Sequence, residues 1–558
     1  MAENGKTEAE INKLGDMTYD PKSGIVELNK EFPEYRMFWG KEFHPIPKSA
    51  RRWGYLPYIG AWATNFSPIW WSISAAIIAV GLSLWYGLVA IIIEASAIYV
   101  IVIAQSHAGT RYGLAEPQLT RMRWGLFGGW IASTIRFIPA LGWFGINSYM
   151  FTEMADGLYL LYIGKLSRLA SIASSGPLAE FSLNPFLFIT IFVIVFLSQG
   201  AILSFSKIIR SQVAVKWLFL SMIVIGPLSA ILLWGNTMNL VHWNLGLLFA
   251  TSMPHTVSLN VSYLFLVAIS SAMAATITIS MSNPDILRFA KNQKVQILSQ
   301  LFLIPFFFLI WFFGMSAAVA TYLAYGSPIY DPYLLAFILN IPVPLKVFLV
   351  LVMGYATFGI QIYANLIPPS YDISNFVPGK LKFWMGVVIS LVIAAIMQAW
   401  GLYLNALSFL EDWMNLYGTF LSPVVGIAVF DYLIIRRLKI PVDQLYIPKG
   451  KFWYFHGFNP AAIIATVIPV LLILIPQVPY HTAIYSSSTI IGFVLGAIIY
   501  LILMKWWVIP KWQPFLKGGM IHGYKDMEIE PLFMRSKGGM SKRSASSSEP
   551  LKEGRTKK

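Results

Sequence analysis

The chain has 558 residues, of which 57% are hydrophobic and only 12% are charged. Soluble globular domains carry about 25% charged residues, so the composition excludes an ordinary soluble enzyme and predicts an all-α polytopic membrane protein. The net charge of +15 does not indicate a nucleic-acid partner, because the basic residues fall in alternate loops between apolar stretches. The absence of cysteine excludes disulfides, thiolate metal sites and a cysteine nucleophile.

The first 50 residues are polar and lack the short apolar core of a cleavable signal, so the first span is expected to direct membrane insertion. About twelve apolar stretches follow that are long enough to cross a bilayer, which takes roughly 20 residues each. These predicted spans cover residues 56–82, 84–105, 127–155, 186–204, 212–235, 258–282, 299–323, 344–367, 384–402, 414–434, 461–476 and 488–509.

The basic residues predict how these spans are oriented. Cytoplasmic loops of membrane proteins are enriched in lysine and arginine, and one side of the predicted membrane carries Lys41, Lys48, Arg51, Arg52, Arg111, Arg121, Arg123, Lys207, Arg210, Arg288, Lys291, Lys294, Lys380, Lys382, Arg436, Arg437 and Lys439. The other side has only Lys165, Arg168 and Lys346. We therefore predict a multi-pass protein of the cell (cytoplasmic) membrane with both termini in the cytoplasm.

The first span is interrupted near its middle by the polar sequence Thr64-Asn65-Phe66-Ser67-Pro68. A broken spanning helix is tolerated where its freed backbone groups face protein or a water-filled cavity, and it often marks a transporter's binding site. Span six has a second run of small and hydroxyl residues over 270–278, followed by Asn283-Pro284. Interruptions in spans one and six predict a core of five plus five helices related as an inverted repeat.

This prediction divides the chain into five parts. A cytoplasmic tail over 1–55 precedes a ten-helix transport core over 56–434, which is followed by a cytoplasmic loop over 435–460, two additional helices over 461–510 and a basic tail over 511–558. The end of that tail, from residue 535, is rich in Ser, Lys and Gly and is expected to be disordered.

Two pairs of residues point to a binding face. Trp143 and Asn147 in span three, and Gln361 and Asn365 in span eight, are each four residues apart and so share one side of a helix. Tryptophan can stack on a flat ring, and an amide both donates and accepts hydrogen bonds, which suits a neutral heterocycle. The alternative is that these polar groups bond one helix to another.

Two ionisable residues lie inside spans, Glu94 in span two and Arg136 in span three. Their predicted depths match within a few ångströms at ~1.5 Å per residue, so three interpretations remain: a buried ion pair, a proton-coupling role for Glu94, or unrelated placements. The sequence has no nucleotide-binding loop, metal-ligand spacing or nucleophile–base pair, so we predict no cofactor, metal site or catalytic residue. The histidines, among them His107, His242 and His255, are expected to be solvated.

At these residues the chain resembles the nucleobase-cation-symport-1 (NCS1) transporters, which include permeases for cytosine, purines, uracil, allantoin and hydantoins. The run Trp143-Phe144-Gly145-Ile146-Asn147 is similar to the family's Trp-Phe-Gly-x-Gln. Further matches, in the family's order, are Gly109, Arg111-Tyr112, Pro117, Arg121, Gly125, Arg136, Pro284-Asp285, Arg288-Phe289-Ala290-Lys291, Ala364-Asn365-Leu366, Pro369, Pro423, Gly426, Asp431-Tyr432, Arg436, Leu445-Tyr446, Gly457 and Asn459.

The resemblance implies a fold like that of the leucine transporter, with rocking-bundle alternating access. It also implies that Trp143 stacks on the substrate ring, that Asn147 stands where the family usually has a glutamine, and that Gln361 and Asn365 face the same pocket. The family's second stacking tryptophan aligns with Thr276, beside Ala275, and a frequent span-one glutamine aligns with Pro68. The predicted substrate-binding residues are thus Trp143, Asn147, Ala275, Thr276, Gln361, Asn365 and Pro68.

The family's sodium site is degenerate in this chain. Two hydroxyl residues that complete the site in sodium-coupled members are replaced here by Gly359 and Ile360. The carbonyls of Thr64, Ser67 and Ala356 remain as candidate ligands, but a sodium ion needs its lost water oxygens replaced. We therefore predict that H⁺ rather than Na⁺ is the coupling ion, or that transport is facilitated.

The sequence predicts a secondary transporter that imports a nucleobase or a related small nitrogen heterocycle through the lipid bilayer. An amino-acid or vitamin permease of the same fold is the alternative, which the missing second tryptophan favours and Trp143 opposes. A transport-inactive membrane receptor is the remote alternative, and it would bind substrate without accumulating it.

Overall fold

The structure is a computed structural model that describes residues 12–14, 17–20, 22–40, 44–166, 169, 185–206, 211–253, 260–377 and 380–513. Several residues used in the orientation argument, Lys41, Arg168, Lys207 and Arg210, lie outside the described residues, as do His255 and the C-terminal tail from residue 514. The described chain is mostly helical.

The N-terminal segment contains a small sheet that the sequence did not predict. Its strands are β1 (Asn12–Leu14), β2 (Met17–Asp20) and β3 (Ile25–Leu28), paired antiparallel in the order β1-β2-β3 with Met17 opposite Leu28. The Arg51 guanidinium donates to the carbonyls of Val26 and Thr110. The sheet is therefore bonded to the end of a membrane helix instead of extending freely as a tail.

The first half of the membrane region contains eight α-helices: α1 (Tyr55–Ala63), α2 (Pro68–Ala79), α3 (Leu84–Tyr112), α4 (Glu116–Trp124), α5 (Gly129–Tyr162), α6 (Pro185–Phe205), α7 (Gln212–Met238) and α8 (Leu245–Ala250) among the described residues. The second half, within the same limits, contains α9 (Val261–Leu287), α10 (Gln293–Ser299), α11 (Leu303–Tyr325), α12 (Pro332–Ile338), α13 (Val343–Ile360), α14 (Ile367–Ser374), α15 (Phe383–Met397), α16 (Trp400–Tyr403), α17 (Ala406–Ser408), α18 (Leu416–Phe430), α19 (Pro460–Leu474), α20 (His481–Ser486), α21 (Ser488–Leu503) and α22 (Ile509–Trp512).

Several of these helices are continued by other helical forms. Segments of π-helix cover Gln361–Leu366, Phe409–Asn415, Asp431–Ile435 and Met504–Val508, and 3₁₀ turns cover Pro33–Tyr35, Lys48–Ala50, Thr64–Phe66, Asn239–Val241, Gln300–Phe302 and Val442–Leu445. The π segment Gln361–Leu366 joins α13 to α14. Span eight is therefore one continuous helix that changes from α to π geometry at the two amides predicted to bind substrate.

Eight helical stretches in the described residues are long and apolar enough to cross a membrane: Leu84–Tyr112, Pro185–Phe205, Val213–Val241, Val261–Leu287, Gln293–Tyr325, Val343–Ser374, Ala406–Ile435 and Ser488–Trp512. Each corresponds to a predicted span. Three shorter apolar helices, Pro68–Ala79, Phe383–Met397 and Pro460–Leu474, and the long α5 fall on the other four. The count of twelve spans and the five-plus-five repeat stay predictions.

The predicted break in span one is confirmed. Helix α1 ends in the 3₁₀ turn Thr64–Phe66, Ser67 is extended at φ −75° and ψ 156°, and Pro68 begins α2. Proline is favoured at the first position of a helix because the N–H it lacks would have no partner within that helix.

The predicted break in span six is wrong, because α9 is continuous from Val261 to Leu287. The hydroxyls that suggested an interruption bond back to the helix itself: Thr276 donates to the Ala272 carbonyl at 3.0 Å and Thr278 to the Ala274 carbonyl at 3.1 Å. Such bonding satisfies a polar side chain inside a helix without breaking it.

Two glycines set how closely the central helices pack. A Cβ on Gly60 of α1 would lie 1.9 Å from the Phe219 carbonyl oxygen of α7, and one on Gly109 of α3 would lie 2.8 Å from the Cα of Pro284 in α9. The helix pairs α1–α7 and α3–α9 thus pack backbone to backbone, which small residues permit where helices meet inside a membrane.

Candidate functional site

A cavity of about 350 Å³ lies where α2, α5, α9 and the junction of α13 with its π segment meet. It is lined by Ile69, Trp70, Ile73, Trp143, Asn147, Ala275, Thr278, Ile279, Ile360, Ala364 and Asn365. This one cavity beside the broken helix therefore brings together four of the seven predicted substrate-binding residues: Trp143, Asn147, Ala275 and Asn365.

The Trp143 ring is held from the side by aromatic neighbours. Phe409 and Trp413 each approach it edge-on, with ring centroids 5.8 Å away at interplanar angles of 81° and 76°. Tyr417 makes a third contact of this kind at 6.2 Å. Edge-to-face contacts of this kind restrain an indole, so a ring held in place by three aromatic neighbours borders the cavity.

The cavity wall also contains polar atoms that the described protein leaves unpaired. The Asn147 side-chain Nδ2 donates to the Trp143 carbonyl at 2.8 Å, while its Oδ1 is buried without a described partner. The Trp70 Nε1 is likewise buried with no described partner. An unpaired buried group costs about 1–3 kcal/mol, so a partner for the Asn147 Oδ1 or for the Trp70 Nε1 would be stabilising.

Three predicted residues, Thr276, Gln361 and Pro68, do not line this cavity, and their substrate-binding role stays a prediction. Thr276 faces α3 and donates to Glu94 Oε1 at 2.7 Å. Gln361 faces α5, where its Nε2 donates to the Phe144 carbonyl and to Ser148 Oγ, each at 2.7 Å. For Gln361 the structure thus fits the helix–helix interpretation. Pro68 borders a separate cavity of about 200 Å³ together with Ser67.

The sequence analysis missed Trp70, Ile69, Ile73 and Thr278. The first three belong to the first turns of α2, just after the break. The break itself was the available signal, because residues at the start of a helix that begins at mid-depth face the space that the break opens.

Glu94 and Arg136 do not form the ion pair that their matched depths suggested. Arg136 binds both oxygens of Asp372, from Nε at 2.8 Å and Nη2 at 2.7 Å, and its Nη1 donates to Asp285 Oδ2 at 3.0 Å. Glu94 bonds to Thr276 instead. Depth along a helix does not fix the direction in which a side chain points, so equal depth was insufficient.

His107 also differs from expectation. It is buried, with 3% of its surface exposed, and its Nδ1 lies 2.7 Å from the Tyr432 hydroxyl. His242 is exposed as predicted.

The four residues of the predicted, degenerate cation site lie beside different cavities and helices, and their role stays a prediction. Thr64 and Gly359 line a second cavity of about 590 Å³, and Ser67 lines the small one beside Pro68. Ala356 packs against Ala63 and Met222. The Thr64 hydroxyl donates to the Ala61 carbonyl at 2.6 Å, so it is already engaged within its own helix turn.

The cavities adjoin one another. The first and second share Ile279, Ile360 and Ala364, and the second shares Phe219, Ile286 and Tyr363 with a third of about 840 Å³. The third is bordered by Trp53 and Arg288, which belong to the predicted inner side. A chain of spaces thus leads from Trp143 toward that end of the helices.

Comparison with known proteins gives consistent findings. A family model described as permease for cytosine/purines, uracil, thiamine, allantoin matches residues 45–508. The chain is similar to an allantoin permease of Bacillus subtilis, at 29% identity over 86% of this chain and 96% of the relative, and to a purine-uracil permease of Arabidopsis thaliana, at 25% identity over 83% and 77%. These relatives are permeases rather than enzymes.

The fold is similar to that of Mhp1, a nucleobase-cation-symport-1 family transporter solved in a closed conformation with bromovinylhydantoin bound. The TM-score is 0.66 at 18% identity, covering 87% of this chain and 100% of Mhp1.

Proposed function

The chain belongs to the family of permeases for cytosine/purines, uracil, thiamine and allantoin, and we propose that it imports a nucleobase or a related small nitrogen heterocycle across the cell membrane by alternating access. The allantoin and purine-uracil permeases among its relatives support this substrate class. The proposal places both termini in the cytoplasm, as the distribution of basic residues predicts.

One observation supports the substrate class most directly. The cavity beside the broken helix combines the Trp143 ring with an unpaired acceptor at Asn147 and an unpaired donor at Trp70. Nucleobases and hydantoins carry ring N–H and C=O groups beside a flat face, so such a molecule would satisfy both atoms while stacking on an indole. Trp70 supplies the second indole whose absence from span six had favoured another substrate.

The proposed cycle has the substrate enter from outside and leave through the adjoining cavities. Their order, from the Trp143 cavity to the space beside Arg288, is what an inward-facing state would need. The change between states would move the broken helix and α9 against α5 and α13.

We further propose that the coupling ion is H⁺ rather than Na⁺. The family's two hydroxyl positions are Gly359 and Ile360 here, and the Thr64 hydroxyl is engaged by Ala61. Glu94 is the candidate proton carrier, because it is buried and hydrogen-bonds to Thr276, the residue after Ala275 in the cavity wall.

The test is uptake into proteoliposomes of a labelled panel containing purines, uracil, cytosine, allantoin and a hydantoin, with thiamine and amino acids representing the alternative substrate class. Trp143→Ala is expected to lose saturable uptake, and Trp143→Phe to retain most of it, because stacking on an aromatic ring is worth roughly 0.5–1.5 kcal/mol beyond burial. Trp506→Ala is the control, because Trp506 lies away from the cavity with 74% of its surface exposed. Uptake confined to the vitamin or amino acids would overturn the substrate class, and binding without accumulation would indicate a receptor.

A further inference from the structure

A buried acidic cluster lies at the end of the helices opposite Arg288. Asp331 precedes α12, and its Oδ1 accepts the Leu334 N–H at 2.8 Å. Its Oδ2 accepts a hydrogen bond from the Tyr403 hydroxyl at 2.9 Å, and that hydroxyl lies 3.0 Å from Ser72 Oγ on α2. The cluster therefore joins the loop helix α12 to the outer half of the broken span and to α16.

Glu153 points into this cluster from α5. Glu153 and Asp331 are both completely buried. The Glu153 carboxyl lies beside the Asp331 carboxyl and the Tyr149 hydroxyl. Neither Glu153 oxygen completes a hydrogen bond of regular geometry with a described residue. A carboxyl this deeply buried and this poorly satisfied is costly as an anion.

The surroundings contain no described cation that would neutralise two carboxylates. The titratable groups facing the pair are Tyr149 and Asp156 on α5, Tyr330 and Tyr333 around α12, and Tyr403 on α16; α2 contributes the uncharged Ser72. Lys346 of α13 lies at the opposite end of α12, where its ammonium donates to the Phe337 and Leu339 carbonyls. Burial raises the pKa of Asp331 above its ordinary value.

The Glu153 and Asp331 side chains interact inside a low-dielectric site. Two carboxylates in contact there would repel each other, so one of them holds a proton. The protonated member can then donate to its ionised partner, which is a short and strong type of hydrogen bond. Loss of that proton would leave two like charges facing each other, and moving α12 and the outer half of span one away would bring water to both.

We propose that Glu153 and Asp331 share one proton while the outer end of the protein is closed, and release it to the external solution when that end opens. The proposal rests on the proposed function and deepens it by identifying the contact that keeps the outer end closed. We call this contact between Glu153 and Asp331, which holds α12 against α5, the latch. Because the proton returns to the side from which it came, this latch makes opening sensitive to external pH without moving a proton across the membrane. The proton carried with substrate would be bound elsewhere.

The direction of the pH effect on opening follows from this release of a proton. Low external pH keeps the pair protonated and the outer end closed, whereas raising the pH through the titration of the pair favours the open form. One proton changes the ratio of open to closed protein by at most about tenfold per pH unit.

The experiment exploits the absence of cysteine from the chain. A reporter thiol is introduced as Ile73→Cys, which lines the substrate cavity on α2 and becomes reachable from outside only when the outer end opens. Right-side-out vesicles are treated with a membrane-impermeant maleimide between pH 5.5 and 8. Rates are divided by those of Tyr480→Cys, a site with 86% of its surface exposed, which corrects for ionisation of the thiol.

In the reporter background the normalised rate is expected to rise with pH. Adding Glu153→Gln should make labelling slow at every pH, because a neutral amide imitates the protonated member. Asp331→Asn should also flatten the profile, and its side-chain carbonyl can still cap α12. Glu411→Gln is the matched control, since Glu411 is a carboxylate bonded to Tyr263 outside this cluster, and it should keep the parent's slope.

A parent-like slope in correctly folded, monodisperse Glu153→Gln protein would overturn the latch, as would a flat profile in the parent. The labelling needs no substrate, so it tests the latch separately from the proposed substrate class. Failure of every heterocycle to be transported, together with pH-dependent labelling, would reject the substrate class and leave the latch standing.

Discussion

The unpaired Oδ1 of Asn147 offers the sharpest test of hydrogen bonding at the cavity. Asn147→Ala removes the only described acceptor that we assign to a substrate N–H. We expect KM for uptake to rise about tenfold, since an unmade hydrogen bond to a buried group costs on the order of 1–2 kcal/mol. Concentration-dependent initial rates in proteoliposomes would measure it.

Gln361→Ala is the matched comparison, because Gln361 occupies the equivalent predicted role but bonds to Phe144 and Ser148. It should leave KM within about twofold of the parent and instead lower the thermal unfolding temperature, as two buried acceptors lose their donor. A tenfold rise in KM for Gln361→Ala with unchanged stability would return this residue to the binding site.

The two amides show what residue spacing predicts and what it leaves open. A separation of four places Gln361 and Asn365 on one face of an α-helix, but the chain is wound as a π-helix over Gln361–Leu366. In that geometry the four-residue relation is altered, so Asn365 reaches the cavity while Gln361 faces α5. Sequence periodicity alone contains no signal for this change of winding.

At the scale of elements, the contact between α1 and α7 depends on Gly60. A methyl group at that position would meet the Phe219 carbonyl oxygen at 1.9 Å, and backbone cannot move aside as a side chain can. Gly60→Ala should therefore lower stability by roughly 1–3 kcal/mol, the usual cost of overpacking. Thermal unfolding of the purified protein in detergent would reveal the loss.

Gly401→Ala provides the matched control for this substitution. Gly401 is also helical, in α16, and a Cβ there would meet nothing within 4 Å. Alanine should be neutral or slightly stabilising at this position, because its helix propensity is higher than that of glycine. Equal effects of the two substitutions would mean that α1 and α7 are less closely packed than described.

The elements themselves were predictable to different degrees. Span one was correctly divided because the polar run over 64–67 precedes Pro68, and proline is favoured at the first position of a helix. Span six was wrongly divided because hydroxyl residues such as Thr276 are equally compatible with an intact helix. The short N-terminal sheet was missed, since its strands have only three or four residues and too little alternation to be distinguished from a polar tail.

For the whole molecule, the charged groups fall into separate sets around the central cavity. Arg136 joins α5 to α9 and α14 through Asp285 and Asp372, whereas Glu153 and Asp331 lie at the other end beside α12. Sequence could identify Arg136 as an important charge in a span but not its partners, because these come from residues 149 and 236 positions away. The two sets lie at the two ends that alternating access would open in turn.

Glu94 belongs to neither set, and this isolation makes it the residue on which proton coupling is best tested. Its carboxyl is buried, bonded to Thr276 through Oε1, and has no described partner at Oε2. Since Arg136 is engaged by Asp285 and Asp372, it is not available to neutralise a Glu94 carboxylate. A charge appearing at Glu94 would therefore act on α9 one residue from Ala275.

Glu94→Gln keeps the shape and the hydrogen bond but cannot exchange a proton. We expect the variant to lose accumulation driven by a pH gradient while retaining exchange of labelled for unlabelled substrate across the membrane. Replacing external Na⁺ by choline should change uptake by the parent less than twofold, because Gly359 and Ile360 replace two hydroxyl ligands of the family's sodium site. Intact concentrative uptake by Glu94→Gln would remove Glu94 from the mechanism, and a steep sodium requirement in the parent would identify Na⁺ as the coupling ion.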